Sequence, residues 1–113
     1  MNTLDMLIAA RALIADPLHW TIGELARDIT GKGVDVSSPE ACSFCSDGAL
    51  RKVAYALSVS QGWVSHSCYV IAKAALNTEA GLVLHVYNDN CTHTQAMEWW
   101  DRTIAAYLVR SVK

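Results

Sequence analysis

Apolar positions recur along this chain at the three-to-four-residue spacing of helices, and that period predicts a mainly helical fold. In the first such stretch Leu4, Leu7, Ile8 and Leu13 form a broad apolar face, Asn2 or Thr3 stands ready to cap its start, and Pro17 forbids its continuation. The clearest start signal lies further on, at Ser38-Pro39-Glu40: a capping hydroxyl, a proline at the first helical position and an acid at the positive helix end. Ala41, Cys45, Gly48, Ala49, Val53 and Ala56 follow at helical spacing, so a central helix is expected whose small residues let a neighbour approach closely. Gln61-Gly62 interrupts the pattern, after which Ser65 caps a third helix that carries Cys68, Ile71, Ala72, Ala75 and Leu76 toward the core until Gly81. Thr92 and Gln95 match a capping box for the last helix, striped by Met97, Trp100, Ile104 and Leu108.

Two segments break the helical period. From Thr21 to Val36 the β-branched Ile22, Ile29, Val34 and Val36 surround the turn-forming Gly31-Lys32-Gly33, which predicts a short hairpin. A helical turn over Gly23 to Ile29 is the rival, because Glu24, Leu25, Ala26 and Arg27 are good helix formers. Leu82 to Tyr87 reads as one short extended segment, strand or loop. The fold class is therefore mainly α, about four helices in one compact bundle with a small β-hairpin near residues 21–36. At 113 residues the chain is expected to be a single helical domain, 1–113, since splitting it leaves two pieces too small to bury enough apolar surface.

Composition removes several function classes from consideration. Hydrophobic residues make up 52% and charged ones 18%, too apolar a balance for disorder and one compatible with self-association. The longest mostly apolar stretch, Leu4 to Ala15, is interrupted by Arg11 and falls short of the roughly 20 residues that span a bilayer, so no membrane role is expected. No basic residue precedes that stretch and Asp5 sits where a leader carries positive charge, so it reads as mature helix. A net charge of -2 gives no electrostatic footprint for nucleic acid. The four cysteines, Cys42, Cys45, Cys68 and Cys91, read as reduced thiols of a cytoplasmic protein, because a core this apolar does not require disulfides.

Three segments taken together carry a likeness: Trp20 followed by Ala26-Arg27-Asp28 and Gly31, then Cys45 with Gly48-Ala49-Leu50, then Asn88-Asp89 followed by Thr92 or Thr94 and a helix. Across residues 20–108 the chain resembles an uncharacterised family of small bacterial and phage proteins. It departs from that pattern at Tyr87, where a tryptophan usually precedes the Asn-Asp pair, and at Cys91, where small or proline-glycine residues are usual. The resemblance implies a compact helical domain with the Asn-Asp turn just before its last helix, and it lends no activity.

Several constellations bear on chemistry. Cys42-x-x-Cys45, His66-x-Cys68 and Cys91-x-His93 supply six thiolate or imidazole ligands for the four places of a zinc tetrahedron. Their placement within helices and their spacing argue instead for core thiols, so no metal or other cofactor is expected. Cys45 becomes a nucleophile if His66 or His93 approaches it, but it shares a stripe with Ala41, Gly48 and Ala49, which packing explains. Trp20, Arg27, Asp28, Asn88, Asp89 and His93 form the best candidate polar pocket, against the plainer reading that the aspartates bond their own turns and Arg27 pairs locally. Adjacent Trp99 and Trp100 cannot share one helix face, so either one is exposed and forms a partner-binding or dimer patch beside Met97 or Tyr107, or the helix is buried on two sides.

These readings favour a small non-enzymatic binding or interaction protein, phage or mobile-element encoded and acting on a host protein, or associating with itself. The alternative is a small-molecule-binding or hydrolytic protein with its pocket at Arg27, Asp28, Asn88, Asp89 and His93.

Overall fold

The computed structural model describes residues 2–61 and 64–111. Helix α1 (Thr3–Leu13) starts at a reciprocal capping box, in which Asn2 Oδ1 accepts from the Asp5 N–H at 2.8 Å and the Asp5 carboxylate accepts from the Asn2 N–H. It ends at Ile14, and a 3-10 turn (Pro17–His19) capped by Asp16 follows where proline stops the helix. Met6, Leu7, Ala10 and Ile14 face the core, whereas Ile8 is half-exposed. Apolar residues surround this helix on nearly every side, so the stripe that is buried is chosen by its neighbours.

Strands β1 (Ala26–Arg27) and β2 (Ser43–Phe44) pair antiparallel, Ala26 opposite Phe44 and Arg27 opposite Ser43. The reversal expected near residues 21–36 is present: the Asp28 N–H donates to the Lys32 carbonyl, the Val34 N–H donates to the Ala26 carbonyl, and Arg27 bridges Gly33. Gly31 supplies the left-handed residue that this turn requires, with φ of 89°. The sheet's second strand, however, comes from residues read in sequence as part of the central helix.

That helix begins later than its sequence signal. Ser38 Oγ accepts from the Glu40 N–H, but only a turn forms there, and α2 runs Ser46–Gln61. The cause is tertiary: the Cys42 N–H donates to the Arg27 carbonyl and the Cys45 N–H to the Leu25 carbonyl, so sheet pairing claims the backbone that the Ser-Pro-Glu signal would have wound. Ala41 and Cys45 consequently precede α2, while Ala56 lies on its solvent side. Cys45 takes over the capping role, its sulfur accepting from the Gly48 N–H at 3.2 Å.

Helix α3 (Val64–Ala80) ends at Gly81, whose φ is 70° and whose N–H donates to the Asn77 carbonyl. Its Ala72, Ala75 and Leu76 are buried, but Ile71, expected inside, is half-exposed. The break expected at Gly62, together with Trp63 and the Ser65 and His66 side chains, lies outside the described residues. Residues 82–87, read as extended, instead lead into the short helix α4 (Leu84–Asp89). Asn77 Oδ1 accepts from the Leu84 N–H at 2.8 Å, so a side chain of the preceding helix supplies the cap that Val83 lacks, and Leu84 is buried beneath it.

Helix α5 (His93–Ser111) starts at the expected capping box, with Thr92 Oγ1 accepting from the Gln95 N–H and Gln95 Oε1 accepting from the Thr92 N–H. Trp99 and Trp100 are both 0% exposed, so the helix is buried on two sides. Trp99 donates its indole N–H to the Leu76 carbonyl and packs on Tyr87, while Trp100 donates to Ser46 Oγ at the start of α2. These rings complete a cluster drawn from every helix, with Ala26 and Phe44 contributed by the sheet. On the surface Arg11 spans the α1–α5 seam, donating to both carboxylate oxygens of Asp101.

Gly48 marks the tightest approach of sheet to helix, for a Cβ there would lie 1.8 Å from the Leu25 carbonyl oxygen. Gly48→Ala is expected to destabilise the fold by about 2–3 kcal/mol, the upper range for overpacked sites. Urea unfolding checks this, and an unchanged midpoint would refute the close contact.

Candidate functional site

Asn88 is 0% exposed on α4. Its Oδ1 accepts from Trp20 Nε1 at 2.9 Å, from the Ser46 N–H at 3.0 Å and from Ser46 Oγ at 2.8 Å. Its Nδ2 donates to the Thr21 carbonyl and, at 3.4 Å, to Asp89 Oδ1. Ser46 Oγ also accepts from Trp100, so a continuous chain of polar bonds runs from α5 through the start of α2 to α4 and the loop at Trp20. Burial of an amide this completely requires such satisfaction.

The residues around it divide by where their bonds go. Asp89 is exposed and its Oδ1 accepts from the Gly23 N–H at 3.0 Å, tying α4 to the loop before β1. His93 Nε2 lies 2.7 Å from the Ile14 carbonyl oxygen, a pairing in which the ring nitrogen donates, and its ring meets Trp20 edge-on at 5.6 Å. Arg27 donates to Thr21 Oγ1, the Ile22 carbonyl and the Gly31 carbonyl, bracing both arms of its loop. Asp28 turns away into its own loop, accepting from the Thr30 N–H, the Thr30 hydroxyl and the Lys32 N–H. Those bonds, the Thr30 hydroxyl foremost, hold its carboxyl below the usual range. The fold thus brings Trp20, Asn88, Asp89 and His93 together, sets Arg27 alongside as a brace, and leaves Asp28 in an Asx turn.

Beside this network lies a recess of about 310 Å³ lined by Gly23, Glu24, Leu25, Cys45, Asp47, His85 and Asp89. Of the expected pocket residues only Asp89 lines it. Cys45 (3% exposed) and Asp47 (5%) are its buried polar members. Burial pushes the Cys45 thiol up; the Gly48 N–H opposes that, and the negative charges of Asp47 and Asp89 add to it. Asp47 pairs on its other side with Arg51 at 3.3 Å and Lys73 at 3.8 Å, and accepts from the Tyr69 hydroxyl at 2.7 Å. Both cations also lie over the Tyr69 ring. No local signal in the sequence marks Asp47 or His85, because the Ser38-Pro39 cap points to a helix start ahead of Ser46 and the pattern of residues 82–87 reads as extended.

Among the described residues no group of three or more His, Cys, Asp or Glu side chains is arranged to hold a metal ion. His93 faces the Ile14 carbonyl, and Cys91 Sγ lies 3.5 Å from the Asn88 carbonyl oxygen.

The two tryptophans expected to offer a partner patch are buried. Trp99 and Trp100 are enclosed by α2, α3 and α4 and offer no contact surface, while Tyr107 is half-buried against the core. Half-exposed aliphatic side chains appear instead on the outward side of α3 and on the approach to α4, at Val70, Ile71, Leu82, Val83 and Val86. A shallow groove of about 680 Å³ runs there, lined by Asn77, Thr78, Gly81, Leu82, Val83 and Val86. The charged residues of α3 turn sideways into ion pairs, Lys73 to Asp47 and Glu79 to Arg102.

Compared with known proteins, residues 1–106 match a family model described as a family of unknown function, DUF6197. The chain belongs to that family. No curated protein and no solved structure matches it. No helix among the described residues is long and apolar enough to cross a membrane.

Asn88→Ala strips an acceptor from Trp20 and Ser46 and is expected to cost about 3 kcal/mol, the scale for orphaned buried donors, in urea unfolding followed by tryptophan fluorescence. Burial and the Asp47 carboxylate push the Tyr69 phenol up to about 12 from its ordinary 10.0. The folded state therefore holds this proton more tightly than the unfolded chain, so its contribution to stability is full below pH 10 and is lost as pH rises toward 12. Alkaline unfolding should lose that part of its pH slope in Tyr69→Phe, and identical slopes would refute the assignment.

Proposed function

We propose, for a chain whose family carries no assigned activity, that this is a non-enzymatic binding protein taking a small hydrogen-bond-donating ligand, neutral or cationic, in the recess beside Asn88. The observation that carries this reading is the pair of nearly buried polar side chains, Cys45 and Asp47, in the lining of a recess. The other polar side chains of the lining, Glu24, His85 and Asp89, include no lysine or arginine, so the recess disfavours anions. Binding is preferred over catalysis because burial holds the Cys45 thiol in its neutral form at pH 7, where it is a poor nucleophile. The four free thiols support a reducing, cytoplasmic setting.

A second reading is a protein-interaction role, with another copy of the chain or, for a phage-borne product, with a host protein. It is favoured by the outward side of α3 and the start of α4, where Val70, Ile71, Leu82 and Val83 are half-exposed with no charged residue between Ala74 and Leu82 other than Glu79, which is ion-paired to Arg102.

One titration separates them. A ligand of about a dozen non-hydrogen atoms at about -0.3 kcal/mol per atom binds with roughly -4 kcal/mol, a millimolar complex. Amine-bearing fragments are expected to shift the amide resonances of Gly23, Cys45 and Asp47 in that range, and carboxylate-bearing fragments of equal size are not. Silence from both sets would overturn the recess reading. A mass by light scattering that rises with concentration, and falls back in Ile71→Lys, would favour the second.

A further inference from the structure

We infer that residues 22–25 form a strap over the recess, and that release of this strap controls access to Cys45. The inference concerns regulation of the recess and rests on the binding reading above for its biological meaning. The strap runs between two firm anchors: Thr21, whose N–H donates to the Phe44 carbonyl and whose own carbonyl accepts from Asn88, and Ala26, which is buried and paired in the sheet. Between them Ile22, Gly23, Glu24 and Leu25 are all exposed, so the segment adds no side chain to the core.

What holds it down is polar: two bonds at exposed groups and one at the N–H of the buried Cys45. Asp89 accepts from the Gly23 N–H, Arg27 Nη2 donates to the Ile22 carbonyl, and the Leu25 carbonyl accepts from the Cys45 N–H at 3.3 Å. The two bonds near water contribute little each, so residues 22–24, held by them, open at far less cost than the global fold, with Leu25 following once they are released. Gly23, with φ of 79°, supplies a left-handed joint within the strap. Gly23, Glu24 and Leu25 line the recess that Cys45 also lines, so lifting them uncovers the thiol while Cys45 keeps its place at the start of α2.

Mass-mapped labelling of the full chain with N-ethylmaleimide, under native conditions, reads this directly. Cys45 is expected to label more slowly than Cys42 in the natural sequence, and about tenfold faster in Asp89→Ala than in Asp89→Asn. The asparagine variant removes the same charge but keeps an oxygen to accept from Gly23, so the ratio isolates the strap bond from electrostatic activation of the thiol. Arg27→Met offers a second opening that does not touch Asp89. It removes a positive charge, which by itself slows labelling, so faster labelling there again reports the strap. Equal Cys45 rates in Asp89→Ala and Asp89→Asn, or rates in every variant that follow only the urea-measured global stability, would overturn the proposal. Labelling needs no ligand, so that failure leaves the fragment titration standing, and silence in the titration leaves the strap standing.

Discussion

A buried primary amide organises this protein. Asn88 sits where α4, the first turn of α2 and the loop at Trp20 meet, and its side chain serves all three while Ser46 passes the connection on to Trp100 of α5. An amide is suited to this position because it presents acceptor and donor on one rigid plane; a carboxylate would lack the donor that holds the Thr21 carbonyl, and an aliphatic side chain would strand Trp20 Nε1 and both Ser46 groups. Because the participants come from distant parts of the chain, the bonds form only once the helices have packed, and they then select one packing among the many that apolar burial alone would tolerate.

The apolar core supplies the corresponding driving force. Trp99 and Trp100 lie side by side in sequence yet point to different neighbours, and each indole N–H has its own acceptor, Leu76 in one direction and Ser46 in the other. Helix α5 therefore acts as a wedge with two working faces, which explains why large aromatic side chains occupy consecutive positions without leaving one in water.

Around the amide the polar residues take separate roles. Asp28, Arg27 and His93 are spent on the fold's own geometry, closing a turn, bracing both arms of a loop and joining the end of α1 to α5. Asp89 is different, since it holds Gly23 and also borders the recess with Cys45, Asp47 and His85. Asp47 links that recess to the Tyr69, Arg51 and Lys73 cluster on the α2–α3 surface, so its charge is balanced from the side away from the cavity. At the recess itself burial pushes the Cys45 thiol up, and its sulfur accepts from the Gly48 N–H at the start of α2.

Local signals determined much of the architecture. Asn2, Thr92 with Gln95, Gly31 and Gly81 each mark an element end whose chemistry closes within a few residues, and the structure has those ends where the residues place them. The helical period likewise indicated a mainly α chain with a small reversal before residue 36. Tertiary structure decided the rest, wherever a local preference met a distant partner. The Ser38-Pro39-Glu40 signal lost to sheet pairing with Leu25 and Arg27, residues 82–87 became the approach to a helix because Asn77 caps Leu84, and both tryptophans were enclosed because α5 found neighbours on two sides. The recess has the same origin: Gly23, Cys45, His85 and Asp89 are far apart along the chain, and only packing, which no local spacing encodes, brings a thiol, an imidazole and carboxylates to one cavity.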